Sequence, residues 1–532
     1  MKRKRFFSLI LVFVLMFSLT GCDLAELFLD SAELEQIPSD HAEQRYDTEA
    51  VKKLAENMRS VWATDGQEDN LKEQIQTMLR SVDEAAAVYF RAEMQYYQNW
   101  NDKDLQLLHD QTQEDYYVVH EAAEWTMANG ARRSAYQDLF KPYADEDNIS
   151  YYITSSLNKV TSAARSSSAS DGRFMDSYYS TAYDPDQSTE TSNAACAKLY
   201  LEAISDLDTK EYLYDQYLRD YTVEDTARVY RELVEKLVPV MNKLESEIED
   251  DVIMLKEQNK SFGVDDPFKT IQKYADRISP DFVQAINRLI DENRCVTAKG
   301  DDCFDGSYTV GVPAENSALI YLYLPGGYSD LADAVHEFGH FYADCFDSTP
   351  TLLRQSCMDI AEIQSQGLAM LFTHFYQDLY GDYSRFIEKY ALFCLLDSII
   401  SGFAVGNFEY EVMKNKDTMT PDDVLECYKK IHDECGLSMD LYQIVHLYSQ
   451  PGYYVSYGAS ALAALQIYTT MLDDYQTAVS KYEKIAHIPS SSAQYRICGT
   501  LKDCGFSDIF TVSYLDEVIK QVTDRIAVLN QQ

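Results

Sequence analysis

Positive charge is scarce in this chain: 46 Lys and Arg stand against 87 Asp and Glu, for a formal net charge of −41. Nucleic acid and anionic lipid are both recognised by basic patches, so neither is an expected partner. An acidic surface serves solubility and also favours cationic peptides. Glycine and proline are few, 20 and 12 in 532 residues. No CxxC pair occurs, which argues against a cysteine-based zinc site. Strand signals are sparse, no internal repeat is apparent, and no second run of 18 or more apolar residues follows residue 22. A chain threaded through a membrane is therefore not expected.

The chain is rich in long stretches with apolar residues at helical spacing. Leu71, Ile75, Met78, Val82, Ala86 and Tyr89 form one such stripe. Val229, Leu233, Leu237 and Val240 form another, opened by Thr222 and Asp225 in a capping-box pattern. Core packing is the plain reading of both. The Ser-rich run 165–193 reads as a loop. The clearest strand is Ala318–Leu324, bounded by Pro325-Gly326-Gly327.

The N-terminus reads as a processing signal. Lys2 to Arg5 are basic, Phe6 to Leu19 are apolar, and Leu19-Thr20-Gly21-Cys22 resembles the bacterial lipobox. The apolar segment is short for a membrane span. Residues 1–21 are thus expected to be removed, leaving a lipid on Cys22, an acidic tether over 22–45, and an extracytoplasmic protein anchored to the cell membrane. Ten cysteines remain, an even number, with close pairs at Cys295 and Cys303, Cys345 and Cys357, Cys427 and Cys435, and Cys498 and Cys504. Disulfides and free buried thiols are both compatible with that pattern.

The chemistry concentrates in His336-Glu337-Phe338-Gly339-His340. Histidines four apart lie one turn apart on one helix face, so both rings can reach one Zn²⁺ at roughly 2.0–2.1 Å. Glu337 sits about 100° round the helix, where it can reach a water on the metal without binding the metal. His120-Glu121-Ala-Ala-Glu124 offers a single histidine and reads as an ordinary helix face.

A zinc peptidase needs a third ligand. Ala343 and Phe346 stand where a metzincin would have glycine and histidine, which excludes that class. Glu362 lies 22 residues past His340, enough chain to turn and return antiparallel, and is the best candidate. Asp344 and Asp347 are the next. Asp359, one turn before Glu362, could orient a ligand, or could be a plain helix-surface acid.

The HEFGH pentapeptide, the segment Asp359-Ile-Ala-Glu362 with Ser365, and the segment from His446 through Tyr448, Pro451, Tyr453 and Tyr454 to Tyr457 resemble the thimet oligopeptidase and oligoendopeptidase F family in order and spacing over roughly residues 290–465. The resemblance implies Zn²⁺ on His336, His340 and Glu362, with Glu337 as general base. It also implies that His446, Tyr454 and Tyr457 act on substrate, and that the substrates are short peptides. The implied fold is mainly α, an elongated helical body with a deep central channel. The residues add one small β-sheet next to the HExxH helix, and its strand Ala318–Leu324 could pair with an extended substrate by main-chain hydrogen bonds, serve as plain core sheet, or do both. Residues 46–250 would form an N-terminal helical region and 251–532 the catalytic region. Two positions depart from the family: Ala369 replaces a frequent glutamate and Gly452 an aromatic residue, so subsite preference stays open. The rival reading is a surface lipoprotein that binds peptides without cutting them, but such a protein has no need of Glu337 between two ligands.

Overall fold

The first apolar stripe found in the sequence is buried throughout, and the second is buried at Val229, Leu233 and Leu237 with Val240 half-buried. A computed structural model describes residues 45–532, apart from 65, 134–135, 151, 154–176, 183–186, 206, 208–213, 215–216, 258–261, 263, 265, 328, 356 and 532. The expected signal, Cys22 as the expected lipid site, and residues 23–44 of the expected tether lie outside the described residues.

The chain is mainly helical. Helices α1 (Thr48–Trp62), α2 (Glu68–Gln98) and α3 (Lys103–Ala131) pack together, with Leu71, Ile75, Met78, Val82, Ala86 and Tyr89 of α2 in their shared core. Asp47 and Asp102 cap α1 and α3 by accepting backbone N–H groups. Helix α4 (Thr189–Ala203) begins inside the segment expected to be a loop. Serine reads as a loop former, yet Ser188 accepts the Thr191 N–H at the N-cap and starts the helix. Residues 177–182 are helical too, while 165–176 and 183–186 lie outside the described residues.

Thr222 and Asp225 form the anticipated capping box at the head of α5 (Val223–Glu232). A π-helical segment, Leu233–Leu237, joins α5 to α6 (Val238–Glu257). The region boundary drawn between residues 250 and 251 falls inside α6. Helix α7 (Pro280–Asp291) then leads into the sheet.

The sheet has strands β1 (Cys295–Ala298), β2 (Tyr308–Val312) and β3 (Ser317–Tyr323), in the order β1-β3-β2. β3 is parallel to β1 and antiparallel to β2, with Ile320 opposite Cys295 on one side and Thr309 on the other. This corrects one expectation. The strand predicted at 318–324 was a candidate to pair with an extended substrate, but β3 is central, and both its edges are spent on neighbouring strands. The outer edges belong to β1 and β2.

Five helices complete the frame of the site: α8 (Asp330–Asp344), α9 (Met358–Phe372), α10 (Ser384–Asn415), α11 (Pro421–Cys435) and α12 (Val455–Asp473). α9 packs along both α8 and α12, and α12 also packs on α10. One 18-residue window within Met358–Asn415 reaches a mean hydropathy of 1.6, enough by length and composition to cross a bilayer. Its residues are 67 % buried inside the fold, so core packing accounts for the apolarity that the sequence reading passed over. The ten described cysteines are free thiols.

Candidate metal centre and active site

Helix α8 is fixed to the sheet and core before it presents its histidines. Asp330 accepts the N–H groups of Gly326 and Gly327 at 3.2 and 3.0 Å, which pins the turn leading into the helix. Leu331, Ala334, Val335, Phe338, Phe341 and Tyr342 form its buried face. His336 and His340 then stand on one side, ring centres 5.1 Å apart and nearly perpendicular at 80°. Gly339 sets how near the next helix can come. A Cβ at that position would lie 2.6 Å from Gln364 O and from Ser365 Cα, so α8 and α9 cross almost backbone to backbone.

That crossing delivers Glu362. Its carboxylate oxygens lie 3.7 Å from His336 Nε2 and 3.9 Å from His340 Nε2. Among the described residues these three are the one group of its kind whose ligand atoms converge, all within 4.8 Å of one another. Asp344 instead pairs with Arg354 at 3.3 Å, and Asp347 accepts the Ser491 N–H at 3.1 Å. Asp359 is buried with Arg219, whose Nε lies 3.9 Å away, and so faces the interior rather than a helix surface.

The donor set fits a divalent zinc ion. Burial pushes His336 down to about 4 and His340 well below its usual value, so both imidazoles are neutral and offer lone pairs. Burial raises the Glu362 carboxyl to about 7, against a hydrogen bond from Ser365 at 3.3 Å. Two neutral nitrogens and a buried carboxylate that no Lys or Arg among the described residues pairs with make the N, N, O set that zinc takes in open, three-ligand sites.

Glu337 is nearly as buried, at 6 % exposure, on the adjoining flank of the helix. Burial pushes its carboxyl up to about 8, with Thr309 opposing the shift and the Glu362 charge adding to it. Thr309 Oγ1 donates to Glu337 Oε2 at 2.7 Å from β2. Nothing in the sequence marked Thr309, because it lies 28 residues away and reaches the helix only through the strand pairing. It is a positioning residue for the carboxylate. Thr309→Val is expected to lower kcat about tenfold with metal content unchanged. Metal analysis together with steady-state kinetics reads both, and a kcat within about twofold of the parent would remove Thr309 from this role.

The segment His446 to Tyr457 gathers His446, Tyr453, Tyr454 and Tyr457 into one cluster at the head of α12, while Tyr448 stacks on Tyr178 at 4.3 Å. His446 stacks on Tyr453 at 4.7 Å and 15°, and meets the rings of Tyr454 and Tyr457 at 5.9 and 6.2 Å. Burial pushes the His446 imidazole down to about 4, and its Nδ1 is buried with no hydrogen-bond partner. The Tyr454 hydroxyl lies 3.4 Å from Met439 Sδ. α12 then runs along α9, with Ile467 against the Cα of Gly367. The structure thus forms two groups, the His336–His340–Glu362–Glu337 set and the His446–Tyr457 cluster, linked through one helix pair. His120 of the excluded HExxE lies on α3, near Glu124 at 3.8 Å.

No family model and no curated protein sequence matches the chain. Solved structures match its fold. Among those described as oligoendopeptidase F, one has a TM-score of 0.69 at 14 % identity, covering 90 % of this chain and 98 % of its own. Another, from Bacillus anthracis, has a TM-score of 0.69 at 13 % identity, covering 94 % of this chain and 98 % of its own. Pz peptidase A, solved with an inhibitor, has a TM-score of 0.64 at 14 % identity, covering 92 % and 98 %. At such identities the likeness is one of architecture: this chain has the fold of the oligoendopeptidase F and Pz peptidase structures over nearly their whole length.

Proposed function

We propose that this protein is a zinc-dependent endopeptidase of short peptides, tethered outside a bacterial membrane by a lipid on Cys22. The observation that carries the reading is the convergence of His336, His340 and Glu362 beside the buried carboxylate of Glu337. The fold likeness to peptidases supports it, and the lipobox supports the location. His336, His340 and Glu362 would hold the ion. When bound, Zn²⁺ supplies Lewis-acid polarisation of a substrate carbonyl and acidifies a neighbouring water.

The chain's own residues do the rest. Glu337, held by Thr309, takes a proton from the attacking water as the new C–O bond forms. It hands that proton to the leaving amine nitrogen as the C–N bond breaks, which closes the balance for hydrolysis. Charge develops on the former carbonyl oxygen. A neutral donor aimed there stabilises the transition state more than the ground state. His446 is neutral, and among the described residues the Tyr454 hydroxyl is hydrogen-bonded to a thioether alone, a weak acceptor. Tyr457 is the donor favoured by its place in the segment. Tyr457→Phe is expected to lower kcat by roughly ten- to a thousandfold with zinc content and melting temperature nearly unchanged. If Tyr457→Phe and Tyr454→Phe both stay within about twofold of the parent, the cluster is packing.

The catalytic residues all fall within 251–532, and the helical region 46–250 would wall a channel that admits short peptides and excludes folded proteins. Digestion of a peptide library by the purified mature protein, read by mass spectrometry, tests the whole reading. Internal cleavage of short peptides, with native folded proteins spared, is expected. Capture of peptides without cleavage would instead favour a binding lipoprotein.

A further inference from the structure

Arg219 is a cation taken wholly inside the protein, its side chain without exposed surface. Its Nη2 donates to Gly452 O at 2.8 Å and to Ser456 Oγ at 2.9 Å. Its Nε lies 3.9 Å from Asp359 Oδ2, and its guanidinium stands 4.6 Å from the ring centre of Tyr217. The residues around it extend the same grip. The Tyr217 hydroxyl reaches Gln450 O at 3.1 Å and Pro451 O at 3.0 Å, and Gly452 N–H donates to the buried Glu409 carboxylate at 2.6 Å. Gly452 itself sits at φ +88°, a conformation that side chains with a Cβ rarely adopt.

Burying a guanidinium is costly unless its hydrogen bonds and charge are met. The Tyr214, Tyr217 and Tyr221 rings of its own segment stand 5.3, 4.6 and 5.8 Å from the guanidinium, and its hydrogen bonds and ion pair reach two further places. One is the segment between His446 and Tyr457, at Gly452 in the turn and at Ser456 in the first turn of α12. The other is Asp359, one helical turn before Glu362 on α9. One buried side chain from the N-terminal half therefore hydrogen-bonds the segment that carries His446, Tyr453, Tyr454 and Tyr457 and sets its charge 3.9 Å from a carboxylate on the helix that carries Glu362.

We propose that Arg219 is a positioning residue, which holds the 450–456 turn in register against α9 so that the His446 and Tyr457 donors meet the reacting carbonyl. The proposal rests on the peptidase reading above for its consequence in catalysis, but not for the restraint itself. Lysine cannot replace the restraint. Two acceptors at one guanidinium nitrogen and a carboxylate at another require a planar fork, and an ammonium is a point charge. Tyr217 reinforces the turn through its hydroxyl, from a partly exposed position where Tyr217→Phe leaves the ring packing in place.

Hydrogen exchange read by mass spectrometry on the zinc-loaded protein, with kinetics alongside, tests this in Arg219→Lys and Tyr217→Phe. Amides of 450–457 are expected to exchange about tenfold faster or more in Arg219→Lys and less markedly so in Tyr217→Phe, with those of Met358–Phe372 unchanged. Zinc content should hold while kcat falls about tenfold or more and KM stays within about threefold. Should Arg219→Lys fail to fold, Tyr217→Phe carries the test alone. Unchanged exchange over 450–457 overturns the proposal. So does faster exchange spread evenly through the molecule with loss of zinc, the mark of a general core residue. A parent protein that cleaves no peptide would sink the peptidase reading, while the exchange comparison would still decide whether Arg219 restrains the turn.

Discussion

Glu337→Gln is expected to keep its zinc and lose turnover by roughly two to four orders of magnitude. The substitution preserves side-chain size and removes the proton acceptor. Glu337 lies outside the converging ligand atoms, so the metal group is left whole. The Thr309 hydroxyl that donates to Oε2 can still donate to an amide oxygen, so the side chain should stay in place. The loss should therefore fall on kcat while peptide affinity persists, and equilibrium binding of a short peptide checks the second half. Near-normal turnover in Glu337→Gln would move the base elsewhere.

Loss of a ligand should act on the metal itself. His336→Ala and His340→Ala are each expected to reduce zinc from about one per chain to near none after dialysis, and activity with it. Glu362→Ala should do the same to a lesser extent, and more than Asp359→Ala. The ranking follows from placement: Glu362 lies within 4 Å of both imidazoles, while Asp359 faces Arg219. Asp359→Ala should instead lower stability, because it leaves a buried guanidinium without its carboxylate. Metal analysis on the four variants decides the matter. Stoichiometric zinc in both histidine variants would contradict the assignment, and a larger loss in Asp359→Ala than in Glu362→Ala would mean the wrong carboxylate.

What was legible in the sequence follows the range of the interaction. His336, Glu337 and His340 could be read because a helix of 3.6 residues per turn decides which of them share a face. Glu362 was within reach because a gap of 22 residues suffices for an antiparallel return. The mainly helical fold with its one small sheet was legible from the long stripes and from the single apolar run before the motif. Gly339 stood in plain view, yet its purpose shows only where a second backbone crosses 2.6 Å from its missing Cβ. Thr309 and Arg219 reach partners 28 and 233 residues away, and no local pattern encodes such pairs. β3 was recognised as a strand, but its own composition does not say whether its edges are free. Ser188 shows the opposite failure: serine was read as loop, where its hydroxyl caps a helix.

The central claim is that His336, His340 and Glu362 jointly hold one zinc ion beside Glu337. Diffraction from crystals of the mature protein, recorded on both sides of the zinc absorption edge, tests it most directly. The account predicts one strong anomalous peak among the two His Nε2 atoms and the Glu362 carboxylate. A zinc peak held by other side chains, or none at this group in protein that cleaves peptides, would contradict it.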